Sequence, residues 1–123
     1  MLIPLKIIKS VGGFDRNYFA YFEDTDFCER VKNFGKKIYI TKNSKIYHKI
    51  SQTSKFKSDF YIFYYARNRI IFNKKYNKNL FKYLTFLFFQ YIIKTIGAYF
   101  YLDKGKFKAW IEGIRSVNKE KHF

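Results

Sequence analysis

The sequence predicts an α/β region over residues 1–76 followed by a helical region over residues 77–123. Three observations carry this expectation. KKIYIT and KIYHKI alternate apolar and polar residues on either side of TKNS, which reads as a hairpin across a turn. FEDTDFCERVKNFG places Phe27, Val31 and Phe34 at helical spacing behind a cluster of acids. From residue 80 onward, long apolar runs carry only helical periodicity.

Taken in order, residues 2–8 read as a short apolar strand, with Pro4 suiting an edge or an end, and Gly12 and Gly13 break the chain after it. A helix is expected over about residues 25–34. Asp26 and Glu29 form a capping-box pattern at its start, and Gly35 is a natural C-terminal cap. In the second hairpin strand Ile46, His48 and Ile50 share a face, which turns His48 inward. Ser58 is a plausible N-cap for a helix to Tyr76 that is aromatic and apolar nearly all round in its first half. Residues 80–102 are the most hydrophobic stretch. Lys82 and Lys94 leave only eleven uncharged residues between them, which favours a helix lying in a membrane interface over one that spans it. The tail reads as an amphipathic helix with Phe107, Trp110, Ile111 and Ile114 on one side, and Trp110 suits a membrane interface.

Length and charge bound the function. A chain of 123 residues is at most one small domain, and an aromatic share of 24% argues that it folds. Lys and Arg number 25 against nine acids, for a net charge of +16, which draws the chain to polyanions without choosing among them. The single cysteine, Cys28, excludes an internal disulfide and a metal-thiolate cluster and fits a reducing compartment. MLIPLKIIKS has neither the apolar core nor the cleavage site of a secretion signal.

The chemistry concentrates in residues 23–29, which hold four of the nine acids. Glu23 and Asp24 are expected just ahead of the helix, where a fixed carboxylate can act as a general base toward a hydroxyl. His48 can ligate a divalent metal or orient that base. The plainer roles stand beside these. Acids at a helix start usually cap it and answer its dipole, and a histidine in a sheet is usually structural.

From Val11 to Ser51 the chain resembles the later part of the catalytic domain of family 2 inverting glycosyltransferases, the rhamnosyltransferase-like group. The resemblance rests on GGFD at residues 12–15, the aromatic run, EDTD at residues 23–26, Arg30, Gly35 and the closing His48; YYARNRIIFNKKY resembles the Arg-Asn helix that follows in many members. It implies the C-terminal portion of a GT-A fold, a Rossmann-like nucleotide-diphospho-sugar transferase domain, over residues 1–76, with amphipathic, membrane-associated helices after it. It also implies roles by position. Asp24 is the base that deprotonates the acceptor hydroxyl, and Glu23 helps hold the acceptor. His48 helps bind the divalent metal, Mg²⁺ or Mn²⁺, at the donor diphosphate. Asp26 and Arg30 fit capping and structural pairing, and Arg67 and Asn68 match a dipeptide of unspecified role.

The implied partners are a nucleotide-sugar donor, a glycan or lipid-linked acceptor and a membrane surface, with the protein peripheral at the cytoplasmic face of the cell membrane. No nucleotide-binding βαβ half and no separate Asp-x-Asp metal motif precede the match, so the chain reads as a fragment, inactive alone. The alternative is a small basic module without catalysis, bound to a membrane surface or to nucleic acid. Scarce arginine and aromatics at core spacing argue against nucleic acid.

Overall fold

In a computed structural model, residues 2–47 and 57–118 are described, and they form helices and connecting segments. The helices are α1 (Leu5–Val11), α2 (Glu23–Asn33), α3 (Asp59–Tyr76), α4 (Leu80–Phe88), α5 (Lys94–Tyr101) and α6 (Lys104–Ser116), with a π-helical turn at Phe89–Ile93 joining α4 to α5. The chain divides into two compact units, Met1–Ile50 and Ser51–Phe123.

No strand or sheet occurs among the described residues, which overturns the expected α/β, GT-A-type fold. Residues 2–8 were expected to be a strand, but most of them enter α1. Seven residues of apolar chain do not discriminate strand from helix by periodicity, and Pro4 stands as the N-cap, its carbonyl accepting from Ile7 N–H at 2.9 Å. Segments 36–41 and 45–47 pair as strands with none of the described residues, and Ile40 and Tyr47 are each 96% exposed. Alternation specifies which face a strand would bury; it does not supply the neighbouring strand that must accept its hydrogen bonds.

In the first unit, α2 begins two residues earlier than the capping pattern suggests. Its N-cap is Phe22, which makes no side-chain cap bond, and Glu23, Asp24 and Asp26 all fall in the first turn. The expected box between Asp26 and Glu29 is therefore not what starts the helix. Its end follows the sequence. Gly35 adopts φ +75°, its N–H donates to Lys32 O at 2.8 Å, and Lys36 N–H donates to Val31 O at 3.1 Å, the paired bonds of a Schellman cap.

The second unit is built around α3. Ser58 caps it as expected, accepting from Tyr61 N–H at 3.2 Å. Ile62, Ala66 and Ile70 recur every four residues along its buried side. Against this stripe packs α6, started by Asp103, whose carboxylate accepts from Lys106 N–H at 2.9 Å. The two helices meet closely at Gly113, where a Cβ would collide with the Phe63 carbonyl oxygen. Trp110 and Ile114 join Ala98 in the same core. Trp110 is 8% exposed and its indole N–H donates to Thr95 Oγ1 at 3.1 Å, so the residue expected at a membrane interface is a core residue with its polar edge satisfied.

The stretch at residues 80–101 is helical throughout, but the π-turn shifts its register. Asn79 caps α4 by accepting from Lys82 N–H at 3.0 Å. Phe86, Leu87 and Ala98 face the core, whereas Phe81, Leu84, Phe88, Ile92 and Ile96 are exposed. No described helix is long and apolar enough to cross a membrane.

Candidate functional site

The candidate site lies in the first unit, where the Gly12–Gly13 turn meets the acidic start of α2. Arg30, on the second turn of α2, makes the junction. Its Nε donates to Asp26 Oδ2 at 2.8 Å, one helical turn back. The two terminal nitrogens reach the opposite way: Nη1 to Val11 O at 2.8 Å and Nη2 to Gly13 O at 2.6 Å. One guanidinium thus spends its rigid fork on a carboxylate and on two carbonyls from residues that are far off in sequence. Asp26 is fully buried, so Arg30 is also what makes that charge tolerable inside. The guanidinium lies 5.3 Å from the centroid of the Phe27 ring, and the Phe14 ring packs against that same ring with centroids 5.5 Å apart.

Arg30 explains why the loop at 11–13 holds its shape. Gly12 sits at φ +86° with both neighbours' carbonyls turned toward the arginine, a conformation that side-chain-bearing residues adopt only at a cost. Asp15 then closes a tight turn, its carboxylate accepting from Asn17 N–H at 3.0 Å and its carbonyl from Tyr18 N–H at 3.0 Å.

The chain enters α2 through a strained pair. Tyr21 and Phe22 both take left-handed angles, φ 64° and 72°, which for such residues costs on the order of 1–3 kcal/mol each. Strain of this kind persists where the surroundings over-determine it, and what it positions is the pair Glu23 and Asp24. Asp24 is exposed. Its Oδ1 accepts from Thr25 N–H at 2.7 Å and from Thr25 Oγ1 at 3.2 Å, which fixes the carboxylate at the positive end of α2. Glu23 is half-buried, with Oε2 sealed from solvent and no hydrogen-bond partner among the described residues. Both acids therefore lie in the helix rather than ahead of it, yet Asp24 remains accessible.

His48 lies outside the described residues. No group of three or more potential metal ligands is gathered among the described residues. Asp26 is committed to Arg30, and one oxygen of Asp24 to Thr25. These residues do not make a metal centre by themselves, and no chemical step is routed through a metal below.

Arg67 and Asn68 belong to α3 in the second unit. They are buried, and Arg67 Nη1 donates to Asn68 Oδ1 at 2.5 Å. A buried, mutually bonded pair of this kind organises a helix interior. The sequence assigned Asp26 and Arg30 to capping and structural pairing, and in the structure the two side chains meet at 2.8 Å. Sequence reasoning missed that the backbone oxygens of Val11 and Gly13, on either side of Gly12, share the same guanidinium. The signal available was the i, i+4 spacing of Asp26 and Arg30; nothing in the spacing of residues 11–13 announces which side chain will collect their carbonyls.

Comparison with known protein families, with curated proteins and with solved structures finds no match to this chain.

Proposed function

We propose that the chain supplies the acceptor-activating carboxylate of an inverting sugar transferase. In this reading Asp24 takes the proton of an acceptor hydroxyl on a glycan or lipid-linked saccharide as that oxygen attacks the anomeric carbon of a nucleotide-diphosphate sugar. The new C–O bond forms as the bond to the diphosphate breaks, the electron pair departs with the diphosphate, and the configuration inverts. Glu23 holds the acceptor beside it, and Asp26 and Arg30 hold the loop.

One observation carries the proposal: an accessible carboxylate, pinned by its own Thr25, stands at the entrance of a helix that Arg30 ties to the glycine turn. A general base must be held in place and reachable, and Asp24 is both. The resemblance of GGFD and EDTD to the family 2 transferases supplies the reaction class. The exposed apolar side of α4 and α5, with the high positive charge, supports action against an anionic membrane at its cytoplasmic face.

The test is genetic and chemical together. Membranes from native-host cells lacking the gene, complemented with the wild-type chain or with Asp24→Asn, are supplied with labelled nucleotide sugars. Wild type should restore incorporation of one sugar, and Asp24→Asn should lower it by a factor of about 10²–10⁴ with an unchanged far-UV circular dichroism spectrum. Incorporation by Asp24→Asn equal to wild type would remove the assignment of the base.

A further inference from the structure

The second unit contains a groove that its own side chains do not fill. It has a volume of about 500 Å³ and is walled by Tyr61, Ile62 and Tyr65 of α3, by Ala98 of α5 and the Leu102 that follows it, and by Trp110 of α6. This size falls in the range of small-molecule sites. Gly97 also lines it, and a Cβ at Gly97 would meet nothing within 4 Å, so the open space begins at the helix backbone.

Two further lining residues, Lys57 and Lys94, also reach solvent, which puts positive charge at the mouth of an apolar cleft. No acid is among the described lining residues. Burial, followed by the nearby Arg69 charge, pushes the Lys94 ammonium below the ordinary lysine range. An anion brought beside it would offset both effects.

The shape and chemistry select the occupant. An extended peptide would carry backbone N–H and C=O groups into walls that are mainly aliphatic and aromatic, leaving most of them without the partners they have in water. A hydrocarbon chain carries none. The same helical stretch that lines the groove with Ile93, Lys94 and Gly97 exposes Phe88, Ile92 and Ile96 on its outer side. Exposed apolar side chains and groove-lining residues thus alternate along one helical stretch, residues 88–98.

We infer that the groove accepts one acyl chain of an anionic phospholipid, with the lipid phosphate at Lys94. The site lies wholly within the second unit and does not rest on the transferase reading, so either can fail without the other.

Trp110 is the sole tryptophan and lines the groove, so its fluorescence reports directly on occupancy. The full chain is titrated with monomeric lysophosphatidylglycerol, with lysophosphatidylcholine of the same acyl chain, and with glycerol phosphate. Saturable change in Trp110 emission is expected with the anionic lipid, about fivefold weaker binding with the zwitterionic one, and none with glycerol phosphate. Gly97→Leu fills the open space while improving helix propensity, and should abolish the response with the helical content intact. Lys94→Gln should bring the anionic lipid down to the affinity of the zwitterionic one. Phe100→Ser, on the exposed side of α5, should leave the response in place.

The inference is overturned if Trp110 does not respond, if the two lysolipids bind equally to the wild-type chain, or if Gly97→Leu binds as wild type does. A loss in Phe100→Ser equal to that in Gly97→Leu would move binding to the outer face and overturn it as well.

Discussion

The two units solve the same problem by different means. In the first, the buried set among the described residues is Tyr18, Asp26, Phe27 and Val31, so a charged residue occupies a place in a very small core. Its loop geometry is set by directional bonds from one arginine. In the second, a layer of Ile62, Ala66, Ile70, Trp110 and Ile114 joins α3 to α6, and apolar area does the holding. Directional bonds fix positions within tenths of an ångström but contribute only about 1.5–3 kcal/mol each when a charge is involved. Apolar layers contribute more and specify less. The unit with the candidate base is the one that relies on direction, as a site that must hold one carboxylate in place requires.

The contrast can be broken at its strongest point first. Trp110→Ala removes the largest core side chain of the second unit and should cost about 3–5 kcal/mol, read as a lower urea midpoint with loss of protection at α3 and α6 amides. A loss under 1 kcal/mol would mean that α6 is not held by its apolar side.

Arg30→Ala comes next. It takes the guanidinium away from the buried Asp26 carboxylate and frees the carbonyls of Val11 and Gly13, so a loss of about 2–4 kcal/mol is expected, with faster amide exchange in the glycine turn and in α2. Arg30→Lys should recover only part of it, because an ammonium cannot serve the carboxylate and both carbonyls through a planar fork. Full recovery by lysine would reduce the clamp to a simple charge pair.

Gln90 sharpens the comparison from the other side. It is 1% exposed in the π-turn, and neither its amide nitrogen nor its amide oxygen has a hydrogen-bond partner among the described residues. A polar group in an apolar layer without partners costs stability, so Gln90→Leu should raise the thermal midpoint, by an amount equivalent to about 1 kcal/mol. A fall instead would mean that the amide holds the π-turn in register.

The smallest effect concerns pH. Asp103 accepts from the Lys106 ammonium and from Lys106 N–H, and these bonds hold its carboxyl below its ordinary 3.8. A depressed acid contributes its stabilisation above the unfolded value and loses it as pH falls through the folded value. The cap of α6 should therefore weaken only below about pH 4, visible as a chemical-shift transition at the α6 N-terminus that Asp103→Asn removes.

Much of the helical content was legible in the residues. Ser58 ahead of an aromatic run, Gly35 behind an amphipathic one, and Phe107, Trp110, Ile111 and Ile114 at helical spacing are local signals, and the structure places a cap or a packed face at each. The lack of strand pairing among described residues 36–47 was not legible, because alternation marks the faces of a strand without forming the hydrogen bonds that pair it. Trp110 illustrates the same limit. An amphipathic helix with a basic side faces either lipid or protein, and only the presence of α3, meeting α6 at Gly113, decides in favour of protein.

The candidate site divides likewise. That four acids fall within residues 23–29, and that Arg30 lies one turn from Asp26, is determined by sequence, since helix geometry fixes the neighbours at i and i+4. That Glu23 and Asp24 enter the first turn, that Tyr21 and Phe22 bend left-handed to bring them there, and that Arg30 gathers the carbonyls of Val11 and Gly13 was decided only by the tertiary structure. The reason is range. Helix caps and faces depend on residues within about four positions of one another, whereas a guanidinium's choice of acceptor 17 to 19 residues away depends on where the whole loop can go.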